Sequence, residues 1–151
     1  MERRLFGIST GPNPVPTPVF PIGGFSPNPE QDKAAGFTLA GPVYSRKNEK
    51  LAECEAAGLP FVYPVGVKLD FTAKAGGEEP DHLDFAAIQA EIRQQVEEAA
   101  SSNSIFAWYL IPEELRYWKP LELEYLRVAS ETIREADPKK RPVWMLSLIH
   151  I

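Results

Sequence analysis

Residues 105–118 read IFAWYLIPEELRYW, and the fold turns on how this stretch is taken. Seven apolar residues run unbroken from Ile105 to Ile111, among them Phe106, Trp108 and Tyr109. A run this short, rich in aromatic and β-branched side chains, reads as a strand buried on both faces. Pro112 ends it, because proline brings no N–H to a ladder. Glu113 and Glu114 follow at once, then Tyr117 and Trp118, and Pro120 opens a periodic segment. Burial accounts for the strand but not for the acids and rings that leave it. Parallel α/β sheets put reactive groups at the C-terminal ends of their strands, so this strand end is the first candidate for a site.

Downstream, Leu123, Leu126, Ala129 and Ile133 mark the inward face of a helix over 120–136, stopped by Asp137-Pro138. Residues 142–145 then begin a fifth strand. Upstream, Phe85, Ile88, Ile92, Val96 and Ala99 recur at steps of three and four, a helical period, with Asp81 or Asp84 as its cap. The apolar run 60–67, PFVYPVGV, predicts the third strand. Before it, Ser45 is placed to cap a helix whose Leu51, Cys54 and Ala57 share a face and which Gly58 closes. Residues 37–40 and 20–25 predict two further strands. Between them Asn28 caps a short helix with Pro29 at its first position, and Gly36 ends it. The order is β-α-β-α-β-α-β-α-β.

Composition narrows the function. The net charge is −5 and the longest basic run is Lys139-Lys140-Arg141, which argues against a nucleic-acid partner. No apolar run nears the roughly 20 residues that cross a bilayer, so no membrane partner is expected, and no leader sequence is expected if Met1 is the natural start. Cys54 is the only cysteine and reads as a small buried hydrophobe. His82 falls in a polar loop. These two leave no basis for a zinc site or a histidine triad, and no metal or cofactor is expected. Seven of the 15 prolines lie between Gly11 and Pro29, so residues 1–19 are expected to form an extended arm.

Strands without alternation, interleaved with helices, mean an α/β fold with a parallel sheet. The expectation is the N-terminal half of a (β/α)8 TIM barrel over residues 20–145, since a whole barrel needs about 250 residues. A five-stranded doubly wound sheet is the alternative, although neither phosphate-loop motif of such sheets occurs here. Residues 146–151, LSLIHI, match a translated sequencing adapter, so the natural sequence is expected to depart after Met145.

Phe20-Pro21-Ile22-Gly23-Gly24, Ala35-Gly36-Phe37, Ala57-Gly58-Leu59 and Ala107–Glu113 together resemble the (β/α)8 glycoside hydrolases of the large retaining clan and their relatives. The turn Asp137-Pro138-Lys139-Lys140-Arg141-Pro142-Val143 fits the same pattern. The resemblance implies a carbohydrate substrate and makes Glu113 the candidate catalytic acid/base, with the nucleophile beyond this chain. Glycoside hydrolysis needs two carboxyl groups flanking the bond. Glu114 does not serve as the second, because neighbours on an extended chain point apart. The pattern departs at Pro112, where the family has Asn or Asp, and at Glu114, where it has Pro. The side chain that would bind substrate beside the acid is therefore missing, and a catalytically inactive carbohydrate-binding barrel is the alternative. A small α/β interaction domain is the third reading.

Tyr117 and Trp118 are candidates to stack on sugar rings, or else pack the loop on the barrel rim. Asp70, after the third strand, lines the mouth or merely turns the chain. Trp108 and Tyr109, in mid-strand, are expected in the core.

Overall fold

The computed structural model describes residues 21–25, 28–69, 78–113, 115–116 and 118–145. The proline-rich arm, the terminal hexapeptide, Asp70, Glu114 and Tyr117 lie outside them. Within them the elements are β1 (Gly23–Gly24), α1 (Pro29–Ala34), β2 (Leu39–Ala40), α2 (Lys47–Ala57), β3 (Phe61–Gly66), α3 (Phe85–Ala99), β4 (Ile105–Ile111), α4 (Pro120–Ala136) and β5 (Val143–Trp144).

All five strands are parallel and lie in chain order, β1-β2-β3-β4-β5. The long pair β3–β4 is the spine. Phe61 pairs with Ile105 and Val62 with Ala107, so Phe106 is an extra residue in β4, after which Tyr63 pairs with Trp108 and Val65 with Leu110. One face of this spine, carrying Phe61, Tyr63, Val65, Trp108 and Leu110, packs on the helices. Leu51 and Cys54 of α2, Ile92 and Val96 of α3, and Tyr125, Ala129 and Ile133 of α4 close over it. Full burial of one large aliphatic side chain such as Ile92 contributes roughly 1.5–3 kcal/mol. The other face holds Leu39, Val62 and Tyr109, with Phe106 and Ile111 against them.

Sequential order with helices α2, α3 and α4 sharing one core is shared by the first half of a (β/α)8 barrel and by one wing of a doubly wound sheet. The reversal of order at the centre of a doubly wound sheet does not occur among the described strands. The fold is α/β with an all-parallel sheet, as the sequence implies.

Several local signals act as read. Asn28 Oδ1 accepts the Gln31 N–H at 3.1 Å, Pro29 is the first residue of α1, and Gly36 follows it at φ +91°. Asp84, not Asp81, caps α3 by accepting the Ala87 N–H at 3.0 Å. Gly58 ends α2 in the left-handed region. Cys54 is buried, and burial pushes its thiol up to about 11.

Three readings need correction. Ser45 does not cap α2: Arg46 does, at φ +55° and with no side-chain cap bond, while its guanidinium pairs with Glu49 in the first turn. The strands β1, β2 and β5 are two residues each, shorter than the apolar runs that contain them. The inward face of α4 is also turned. Leu123 is 52 % exposed and Leu126 only partly buried, whereas Glu122, Tyr125, Ala129, Thr132 and Ile133 face in. Glu122 is neutralised by Arg116 and the Tyr125 hydroxyl is hydrogen-bonded, so both polar groups enter the core with partners.

Candidate functional site

At the C-terminal ends of β3 and β4 the two backbones approach so closely that only glycine fits. A Cβ on Gly66 would lie 2.1 Å from the Ile111 carbonyl oxygen, and Gly66 has φ +148°. Beneath this contact three helices each send up one polar side chain. From α4, the Tyr125 hydroxyl donates to Ile111 O at 2.5 Å and accepts the Val67 N–H at 3.2 Å. From α3, Gln95 Nε2 donates to Gly66 O at 2.9 Å, and Oε1 accepts the Gly66 N–H at 3.3 Å. From α2, Lys47 Nζ donates to Gln95 Oε1 at 2.8 Å and to Pro64 O at 3.2 Å, above the Tyr63 ring. Burial pulls the Lys47 ammonium below its ordinary value, against the opposing pull of Glu98 and Glu91. Burial also pushes the Tyr125 phenol up to about 12, so it remains a donor at any ordinary pH. Strand-end groups that the ladder leaves unpaired thus find side-chain partners.

Glu113 leaves the sheet two residues beyond Ile111, after a cis Ile111–Pro112 peptide, and is half-buried. The connection to α4 is held from below. Arg116 Nε donates to Glu122 Oε1 at 2.6 Å and its own N–H reaches Oε2, with Glu122 fully buried. Glu79, from the segment before α3, accepts the N–H groups of Leu121 and Glu122 at 3.0 and 3.1 Å. It caps α4 from a distance where Lys119 makes no side-chain cap bond. Trp118 is 63 % exposed on this connection. Glu113 and Trp118 therefore share the β4–α4 connection at the expected end of the sheet, while Asp70 and Tyr117 lie outside the described residues.

The sheet face opposite α2, α3 and α4 carries a group of rings that sequence reading passed over. Trp144 pairs with Tyr109 in the ladder and stands edge-on to it at 5.9 Å, and Tyr44 leans on the same ring at 6.3 Å. Tyr109 is buried, whereas Tyr44 and Trp144 are about half exposed, at 49 % and 47 %. The register, which aligns residue 144 with 109, brings the Tyr109 and Trp144 rings together.

At the opposite end of the sheet, the Asp137–Val143 turn is a structural clamp. Asp137 is buried and accepts the Trp108 indole N–H at 2.8 Å. It also takes the Arg141 guanidinium at 2.9 and 3.0 Å and the backbone N–H groups of Lys139 and Arg141. Burial alone would raise its carboxyl, but the bonds from Arg141, Trp108 and the two N–H groups outweigh it and hold the carboxyl well below the usual range. Arg141 lies over the Trp108 ring and donates to Ser102 O and Ala100 O, while Lys139 Nζ donates to Ser101 O, Ser102 O and Asn103 Oδ1. A cavity of about 520 Å³ beside this loop is lined by Leu51, Glu55, Glu98 and Ser101–Ser104, at the sheet end remote from Glu113. The N-terminal end of a parallel sheet is where stability, not chemistry, is built.

Among the described residues no three His, Cys, Asp or Glu side chains are grouped to hold a metal ion, and no helix is long and apolar enough to cross a membrane. No protein-family model matches the chain, and no curated protein matches it.

Proposed function

We propose that the chain is the β1–β5 part of a carbohydrate-active α/β protein, with Glu113 as the general acid/base of glycosidic-bond cleavage. The observation that carries this reading is the position of Glu113. It is half-buried, two residues past β4, the longest of the described strands, at the sheet end where parallel α/β proteins do chemistry. The resemblance of Ala107–Glu113 to the strand-four motif of the retaining clan supports the same role. Glu113 would give its proton to the glycosidic oxygen as the C–O bond breaks, and its carboxylate would then take a proton from the incoming water. The second carboxyl group would stand on chain beyond β5. The exposed rings of Trp118, Tyr44 and Trp144 offer apolar faces suited to pyranose C–H surfaces. Asp70 and Tyr117 are proposed to border the same mouth.

The test uses the longest natural chain that contains β1–β5. Glu113→Gln keeps shape but removes the transferable proton, so hydrolysis of an unactivated glycoside should fall about 10²–10⁴-fold. Aryl glycosides with good leaving groups should lose far less in the glycosylation step. An unchanged rate on the unactivated substrate would remove Glu113 from the role.

Pro112 favours a second reading. It supplies no side-chain hydrogen bond beside Glu113, which suits a barrel that binds carbohydrate without cleaving it. Glycan binding by a chain that hydrolyses neither substrate would select that reading.

A further inference from the structure

We infer that Tyr125 is a positioning residue for Glu113, acting through the carbonyl of Ile111; the inference rests on the reading of Glu113 as the proton donor. The β4 ladder ends at Ile111, two residues before Glu113. Beyond that point no strand pairing among the described residues holds the backbone that carries Glu113. At its root the Ile111 carbonyl is held by the Tyr125 phenol. Tyr125 reaches from the second turn of α4, with its side chain buried, and its hydroxyl is used twice. It donates to Ile111 O and accepts from Val67 N, so it joins the last residue of β4 to the first residue after β3.

Gly66 makes the arrangement specific. With no Cβ there, Ile111 O and the Tyr125 hydroxyl share the space that any side chain would take, since a Cβ would stand 2.9 Å from the Tyr125 oxygen. Gln95 then secures Gly66 on both its backbone groups, and Lys47 secures Gln95. The three helices thus hold the roots of the two loops at the site end. Tyr125 is the member one peptide and one proline from Glu113. The phenol, held up to about 12 by burial, stays protonated and keeps donating across the pH range in which a glutamic acid works.

The role differs from plain core packing in what it predicts. Tyr125→Phe keeps the ring against Ala129 and the strands and removes only the hydroxyl. On the present chain, amide hydrogen exchange at Val67 should speed up about tenfold, the scale of one lost hydrogen bond. The amide of Glu113 should change in exchange rate and in chemical shift, while Ile92 and Val96 amides in α3 stay as they were. In the longest natural chain, kcat on an unactivated glycoside should fall about tenfold with KM unchanged, and the loss should shrink with a better leaving group. Should Tyr125→Phe fail to fold, 3,5-difluorotyrosine at position 125 carries the same test. It keeps the hydroxyl but ionises more readily, so raising the pH removes the donor and the Glu113 amide must respond with the fluorophenol's titration. A Glu113 amide indifferent to either change overturns the positioning role. If Glu113→Gln leaves hydrolysis intact while the Glu113 amide still answers to Tyr125, the acid/base reading fails and the structural link stands.

Discussion

Trp108 and Asp137 meet through a 2.8 Å hydrogen bond from the indole Nε1 to Oδ2, although one lies mid-strand and the other ends the following helix. Both are buried, and Arg141 closes on both at once, over the ring and against the carboxylate. The link ties β4, α4 and the approach to β5 into one unit. The sign of its pH dependence follows from the depressed carboxyl. Unfolded, Asp137 titrates near 3.9; folded, it titrates lower, because burial is outweighed by Arg141, Trp108 and the two N–H groups. The folded state therefore binds fewer protons, and this stabilisation is complete above the unfolded value and lost as pH falls below it. The melting temperature should be level from about pH 7 to pH 5 and fall below about pH 4. Asp137→Asn should cost about 3–5 kcal/mol at neutral pH by leaving Arg141 without its anion. It should also flatten the acid limb. An acid limb unchanged in the variant would show that other groups set it.

Gly66 and Gly36 both have positive φ, but their surroundings differ. A Cβ on Gly66 meets Ile111 O, whereas one on Gly36 meets nothing within 4 Å. Gly36→Ala should cost about 1–2 kcal/mol, the price of the left-handed backbone alone. Gly66→Ala adds a collision with backbone and should cost about 3 kcal/mol or more. Urea denaturation of the two variants checks the order, and equal losses would mean that the β3–β4 approach relaxes freely.

Some of this was legible in the chain and some was not, for physical reasons. The bounds of β4 and α4 were readable because an unbroken apolar run, Pro112 after the strand, Pro120 opening the helix and Pro138 just past it leave little choice. The face of α4 was misread because apolar periodicity selects Leu123, while the structure buries Glu122 and Tyr125, whose polar atoms are matched by Arg116, Ile111 and Val67. No pattern of single residues shows a partner six or fourteen positions away. The Asp137–Val143 turn was legible as a motif, but its work is structural, at the end of the sheet opposite Glu113. The Tyr44–Tyr109–Trp144 group depends on register, which the sequence leaves open where β2 and β5 are two residues long. At the site end, Glu113 and Trp118 lie on one connection as read, and Asp70 and Tyr117 fall outside the described residues.

Glu79 caps α4 from outside that helix, with one oxygen on two N–H groups. Glu79→Ala should cost about 0.5–2 kcal/mol, the range of a lost N-cap. Glu79→Gln keeps an acceptor and gives up only the charge at the positive end of the helix, about 0.3–1 kcal/mol. Added salt should narrow the gap between wild type and the Gln variant, since part of that gap is electrostatic. A salt-independent gap would assign the effect to packing instead.

Arg116 and Glu122 also make a buried ion pair, and it holds the connection that carries Glu113 and Trp118. Glu122 is fully buried and the Arg116 side chain is 14 % exposed, so neither charge is well solvated. Arg116→Met removes the cation and leaves the Glu122 carboxylate in the core with the backbone N–H of residue 116 still bonded to it. Breaking one partner of a buried pair costs about 3–5 kcal/mol, most of it the uncompensated charge. Glu122→Leu alone should cost less, because Arg116 lies nearer the surface and can turn toward water. The double variant Arg116→Met/Glu122→Leu puts apolar volume where the pair stood. It should recover at least half of the loss of Arg116→Met, since replacing both members of a buried pair is often neutral. Denaturant midpoints of the two single variants and the double variant form the cycle that measures the coupling. Additive losses across it would mean that the pair contributes nothing as a pair, and that Glu122 is held by the backbone N–H of residue 116.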